Sequence, residues 1–129
     1  MKSKNVLLID DDEDDQLIYT DAINEVSSEL TCISVQNGLE ALKLLRTVSE
    51  LPAIIFLDLN MPLMNGFDFL GKIKKDDNFR HIPVVILTTS DSPVDKKIAR
   101  NLGAAKFITK TPEFKFLKEQ LVEILTGVN

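Results

Sequence analysis

The chain has 129 residues, 27% of them charged and 44% hydrophobic, a length and composition that suit one globular domain spanning 1–129 and its own core. No apolar run approaches the ~20 residues of a membrane-spanning helix. The net charge of −5 is local: of 20 acids, six stand at Asp10 to Asp15, and the other 14 face 15 bases, so no basic stripe for nucleic acid is present.

Met1-Lys2-Ser3-Lys4 carries no secretory pattern, which with the unpaired thiol described below points to the cytoplasm. It leads into Val6–Ile9, an apolar run of strand length that stops at the six carboxylates. Leu17, Ile18, Ala22 and Val26 then share a helical face. A second strand covers Cys32–Val35, where the lone cysteine excludes an internal disulfide and reads as a small buried thiol. Gly38-Leu39 opens a helix with Ala41, Leu42, Leu45 and Val48 inward. Ala53–Leu57 is the third strand, and the helix after Asn65-Gly66 presents Phe67, Leu70 and Ile73. Val84–Leu87 is the fourth strand, followed by a helix between Ser92 and Leu102 that Gly103 stops. Ala105–Ile108 is the fifth. The last helix has Thr111 as N-cap, Pro112 at its first position, Glu113 at the positive end of its dipole, and Phe114, Leu117, Leu121 and Ile124 as its buried stripe. Strands alternating with helices imply an α/β fold, a single doubly wound domain of five βα units around a parallel sheet.

Binding in such sheets occurs at the carboxyl ends of the strands, where the strand order reverses. Those ends carry Asp10-Asp11, Asp58, Thr88-Thr89 and Thr109-Lys110. Clustered carboxylates raise one another's pKa unless a cation compensates, and magnesium prefers such oxygen ligands. Lys110 and Thr88 supply the charge and the donor that phosphoryl oxygens require. Asp58 is the lone acid of its stretch, behind Ile54-Ile55-Phe56-Leu57, so it suits the nucleophile, and the acidic pair suits the metal. The constellation reads as a site for phosphoryl transfer to a carboxylate.

Four stretches, in order, carry a resemblance over essentially the whole chain: Leu7-Leu8-Ile9-Asp10-Asp11, Leu57-Asp58-Leu59-Asn60-Met61-Pro62-Leu63-Met64-Asn65-Gly66, Pro83-Val84-Val85-Ile86-Leu87-Thr88 and Gly103-Ala104-Ala105-Lys106-Phe107-Ile108-Thr109-Lys110. The sequence resembles the receiver domains of two-component response regulators, the chemotaxis-type, stand-alone kind. The resemblance implies a flavodoxin-like sheet of order 2-1-3-4-5 with helices on both faces. It makes Asp58 the phospho-acceptor, Asp11 the chief ligand of Mg2+ or Mn2+, and Asp10 a ligand acting largely through a metal-bound water. Asn60 would offer its backbone carbonyl to the metal, and Lys110 would pair with Asp58 and then with the phosphoryl group. Thr88 would move inward with Phe107 as the switch pair. The implied partners are a sensor histidine kinase or a histidine phosphotransfer protein and a downstream protein target, with a phosphorylation-dependent homodimer also open. No enzymatic activity is implied beyond self-phosphorylation and self-dephosphorylation.

Two positions depart from the family pattern. Lys110 is followed by Thr111 and only then by proline, so a trans Lys110–Thr111 bond is expected. Thr89 stands where a small residue is usual, and its bulk is expected to narrow access and slow dephosphorylation.

Three other readings compete. A haloacid-dehalogenase-type phosphohydrolase needs an aspartate two residues after the nucleophile, where Asn60 stands. A calcium loop fits Asp10, Asp12, Asp14 and Asp21 but lacks its glycine, Asp15 standing there. A receiver-like scaffold that binds partners without phosphorylation is the third. Asp12 to Asp15 are assigned to the cap and first turn of the first helix, where negative charge meets the dipole.

Overall fold

The computed structural model describes residues 4–61, 63–110 and 113–126, excepting the side chain of Phe114. Five strands alternate with five helices: β1 (Asn5–Ile9), α1 (Glu13–Val26), β2 (Thr31–Val35), α2 (Gly38–Thr47), β3 (Ile54–Leu57), α3 (Gly66–Lys75), β4 (Val84–Thr88), α4 (Pro93–Leu102), β5 (Lys106–Thr109) and α5 (Phe114–Thr126). All four strand pairings are parallel, in the order β2-β1-β3-β4-β5. The expected architecture and strand order are therefore the observed ones.

Alternation along the strands divides the core in two. Leu7, Ile9, Ile55, Leu57, Val84 and Ile86 pack under α2, α3 and α4, while Val6, Leu8, Ile54, Phe56, Val85 and Leu87 pack under α1 and α5. Successive strand residues point to opposite faces, so central strands covered on both sides must be apolar throughout. β3 and β4 are buried at every position. The edge strands β2 and β5 are not, and β2 exposes Thr31 and Ser34.

Helix ends follow local chemistry. Asp12, Asn37, Asn65 and Ser92 each accept a backbone N–H in the first turn of the helix they cap. Gly103 ends α4 at φ 104, in the left-handed region that glycine enters without strain. The expected N-cap Thr111, Pro112 after it, the trans Lys110–Thr111 bond and the inward Phe114 lie outside the described residues.

One helix face is corrected and another gains a member. Leu17 and Ile18 are 65% and 44% exposed; the buried face of α1 is Tyr19, Ala22 and Ile23. The expected face was offset toward the helix's outer side, because residues 17 to 19 are all bulky and only the direction in which α1 leaves β1 decides among them. In α3 the expected face of Phe67, Leu70 and Ile73 packs inward, Phe67 half-buried against the core, and Phe69 is buried beside them. Cys32 is half-buried rather than buried, its Sγ accepting from the Thr20 hydroxyl at 3.6 Å. Among the described residues no helix is long and apolar enough to cross a membrane.

Candidate functional site

The sheet register brings the site together. Ile9 pairs with Leu57, so the next residues, Asp10 and Asp58, emerge side by side where the strand order reverses. The Asp58 N–H donates to the Ile9 carbonyl at 3.0 Å, and the Asp10 N–H to the Val35 carbonyl at 3.1 Å. Thr88 pairs with Thr109, and the Lys110 N–H donates to the Thr88 carbonyl at 2.6 Å, fixing the root of the lysine. Gly66 closes the loop after β3: its N–H donates to the Leu59 carbonyl at 2.9 Å. A Cβ there would stand 2.5 Å from the Asp58 carbonyl oxygen and 2.7 Å from Leu59 Cα.

Carboxylate oxygens of Asp10, Asp11 and Asp58 lie within 4.8 Å of one another. Asp10 and Asp58 are buried and Asp11 is exposed, so the cluster has a dry floor and a wet rim. Oxygen-only donors at this spacing fit a hard divalent cation. The Lys110 ammonium, its side chain 7% exposed, sits 2.7 Å from Asp10 Oδ2, 2.9 Å from Asp15 Oδ2 and 3.7 Å from Asp58 Oδ2.

Burial pushes the Asp10 carboxyl above its ordinary range, against the opposing hydrogen bonds from Lys110 and the Asp12 amide. Burial raises Asp58 as well; Lys110 opposes it and the negative charge of Asp10 adds to it. For Lys110 burial alone would favour the neutral amine, but Asp10, Asp15 and Asp58 outweigh it and hold the ammonium above its usual value. The crevice thus keeps a permanent cation beside carboxylates that are expensive to ionise together.

Asp10, Asp11, Asp58 and Lys110 converge as their strand positions imply. Asn60 is exposed, and its backbone N–H donates to Asp58 Oδ1 at a long 3.4 Å. Thr88 is fully buried, and its hydroxyl accepts from the Ser90 amide at 3.4 Å. Among the described residues it makes no hydrogen bond to Asp58. Thr89 beside it is exposed, and Phe107 is half-buried with the Lys96 ammonium 5.9 Å from its ring centroid. The calcium-loop reading fails on backbone conformation, since Asp10 follows directly on a strand and Glu13 to Val26 is helix.

Three residues join the site without having been expected there. Asp15 pairs with Lys110, the Tyr19 ring centroid lies 5.4 Å from the same ammonium, and the Gln16 amide donates to the Asp10 carbonyl at 2.6 Å. One signal was available: Asp15 and Tyr19 are four apart and therefore share a helix face. Asp12 accepts from the Asp14 and Asp15 amides as a cap should, so the capping role of the run stands and Asp15 has a second one.

Residues 6–124 match the response regulator receiver domain family. The chain is 30% identical over 119 residues to response regulator Rcp1 of a Synechocystis species, covering 88% of this chain and 81% of that one. It is 29% identical to chemotaxis protein CheY1 of Helicobacter pylori over 124 residues, covering 96% and 98%. It also matches sensor histidine kinase CheAY of Helicobacter pylori at 30% identity over 122 residues, 90% of this chain but 15% of that much longer protein. Among solved structures, the phosphorylated cyanobacterial phytochrome response regulator RcpA superposes with a TM-score of 0.85 at 29% identity, covering 93% of this chain and 89% of that one. The Mn2+-bound form of Rcp1 does so with 0.80 at 30% identity, covering 96% and 93%. Receiver domains bind a divalent metal and take phosphate from histidine kinases, chemistry to which a crevice of clustered carboxylates and one buried lysine is suited. On fold, site and likeness together, the chain belongs to the response regulator receiver domains of two-component signalling.

Proposed function

We propose that Asp58 is the phospho-acceptor and that residues 1–129 act as one receiver whose output is a changed protein-binding surface. The observation that carries this reading is the place of Asp58: buried at the end of β3, within 4.8 Å of the Asp10 and Asp11 oxygens and 3.7 Å from the Lys110 ammonium. Asp10, Asp11, Asp58 and the Asn60 carbonyl would hold Mg2+, which when bound offsets the charge of the carboxylates and of the incoming phosphoryl oxygens. An Asp58 carboxylate oxygen attacks phosphorus as the bond from phosphorus to a donor histidine nitrogen breaks; the donor ring, protonated at its other nitrogen, takes up the bonding pair and leaves as a neutral imidazole, and Asp58 becomes an acyl phosphate. Lys110 pairs with a phosphoryl oxygen, and Thr88, turned from Ser90, donates to another. That turn opens space for Phe107, biasing the surface of α4, β5 and α5 between two states.

The donor is a sensor histidine kinase or a histidine phosphotransfer protein, and the setting is the cytoplasm. The downstream target is a protein, with homodimerisation on phosphorylation as one form of output. Catalysis ends with self-dephosphorylation, which Thr89 slows by narrowing access to Asp58. Neither an independent phosphohydrolase nor an inert scaffold has support in the site: Asn60 stands where the former needs an aspartate, and the latter has no use for a buried lysine among carboxylates.

Incubation with Mg2+ and a small acyl phosphate, followed by intact-mass measurement, tests the reading. One phosphoryl mass is expected on the parent protein and none on Asp58→Asn. An equal gain on both would remove Asp58 from the role.

A further inference from the structure

Lys110 has two short carboxylate partners, and they differ in kind. Asp10, at 2.7 Å, belongs to the carboxylate cluster. Asp15, at 2.9 Å, does not; it projects from the first turn of α1, with its side chain 30% exposed. Asp58, the third, is farther at 3.7 Å. A divalent cation among Asp10, Asp11 and Asp58 takes up the charge of two of these three partners and adds a positive neighbour to the ammonium. At close range in a poorly hydrated crevice that repulsion is large, and a flexible four-carbon stem lets a lysine leave for solvent. Of its carboxylate partners among the described residues, Asp15 alone then keeps its full charge to oppose the move. The Asp12 cap holds the backbone of Asp15, and the ring centroid of Tyr19, one turn on, lies 5.4 Å from the ammonium.

We propose that Asp15 is a positioning residue that anchors the Lys110 ammonium inside the site when a divalent cation occupies the carboxylate cluster. The proposal rests on the reading of that cluster as the metal and phosphoryl site. Asp15 lies outside the carboxylate group that would hold the ion. It acts by keeping Lys110 within reach of Asp58, so that the lysine is in place when the phosphoryl group arrives.

Amine acetylation of the full chain, quantified lysine by lysine by peptide mass spectrometry with and without saturating Mg2+, reads this directly. In the parent, Lys110 is expected to stay protected in both conditions. In Asp15→Asn it should stay protected without Mg2+, through Asp10 and Asp58, and acetylate about tenfold faster with Mg2+. Asp15→Glu should restore protection. Lys74, whose ammonium donates to the Arg80 and Ile82 carbonyls at 3.0 and 2.9 Å, reports the fold in every sample and should not change.

Lys110 equally protected with and without Mg2+ in Asp15→Asn overturns the anchor, as does Lys110 exposure already present without Mg2+. The parent's mass gain with acyl phosphate is scored separately. A parent that takes phosphate while Lys110 of Asp15→Asn stays protected loses the anchor and keeps the phospho-acceptor. A parent that takes none while the acetylation pattern appears keeps the anchor and loses the phospho-acceptor.

Discussion

Leu63 lies in the loop between Asp58 and α3 with φ 69, a left-handed conformation, and its side chain is 79% exposed. A leucine there costs on the order of 1 kcal/mol against its Cβ and recovers little by burial. Asparagine enters the same region more readily, so Leu63→Asn should stabilise the protein by about 0.5–1 kcal/mol in urea unfolding with an unchanged m value. A loss of stability would mean that the exposed leucine makes contacts its accessibility conceals. At this scale some roles are written in neighbouring residues and others are not. Asp12 as a cap is legible, because its oxygen needs only the amides two and three residues on. The partnership of Asp15 with Lys110 is not, because the two are 95 residues apart and nothing local distinguishes Asp15 from its acidic neighbours.

Among the elements, the loop from β3 to α3 carries local chemistry directly to the site. Gly66 is packed so closely on the Asp58 carbonyl and Leu59 Cα that both obstacles to a side chain are backbone. Gly66→Ala should therefore cost about 1–3 kcal/mol, the usual range for overpacking, and slow the phosphoryl uptake proposed for Asp58, because the strand end that carries the carboxylate must shift. Chemical denaturation together with the acyl phosphate assay checks both, and a variant of parental stability would show that the loop yields freely. The Asn65-Gly66 pair was visible as a helix start, but the reason for glycine lies in a contact with residues seven and eight positions earlier. The face of α1 shows the same limit. Leu17, Ile18 and Tyr19 are consecutive, and hydrophobic periodicity alone accommodates more than one of them inward. Packing against β1 and α5 selects Tyr19 and leaves Leu17 in solvent.

For the whole molecule, the carboxylate cluster couples stability to cations and to protons. Mg2+ that binds only the folded state stabilises it by about 2.7 kcal/mol at a hundredfold excess over Kd, so the melting temperature should rise with magnesium concentration. An unchanged melting temperature would exclude folded-state binding. The direction with pH follows from the raised Asp10 and Asp58 values. Between the unfolded carboxylate range near pH 4 and the higher folded values, the folded protein holds more protons than the unfolded chain. In metal-free protein these two groups therefore contribute less stability as pH rises through that window. Magnesium requires the ionised forms, so its increment should grow from pH 4 to pH 7. Melting curves at several pH values in chelator and in magnesium test this, and an increment independent of pH would show that the ion binds elsewhere.

The sequence by itself determined the alternation of strands and helices, the parallel sheet and the residues at its carboxyl ends, because apolar runs, caps and breakers act over a few neighbours. From the strand ends alone, Asp10, Asp11, Asp58, Thr88 and Lys110 could be gathered on one side of the sheet. Only the tertiary structure decided which face of α1 turns inward, that Asp15 and Tyr19 meet Lys110, and that Thr88 bonds Ser90 rather than the acidic cluster. Those outcomes depend on the angle at which each helix crosses the sheet and on the competition of several carboxylates for one buried ammonium, quantities set by packing among elements distant in the chain.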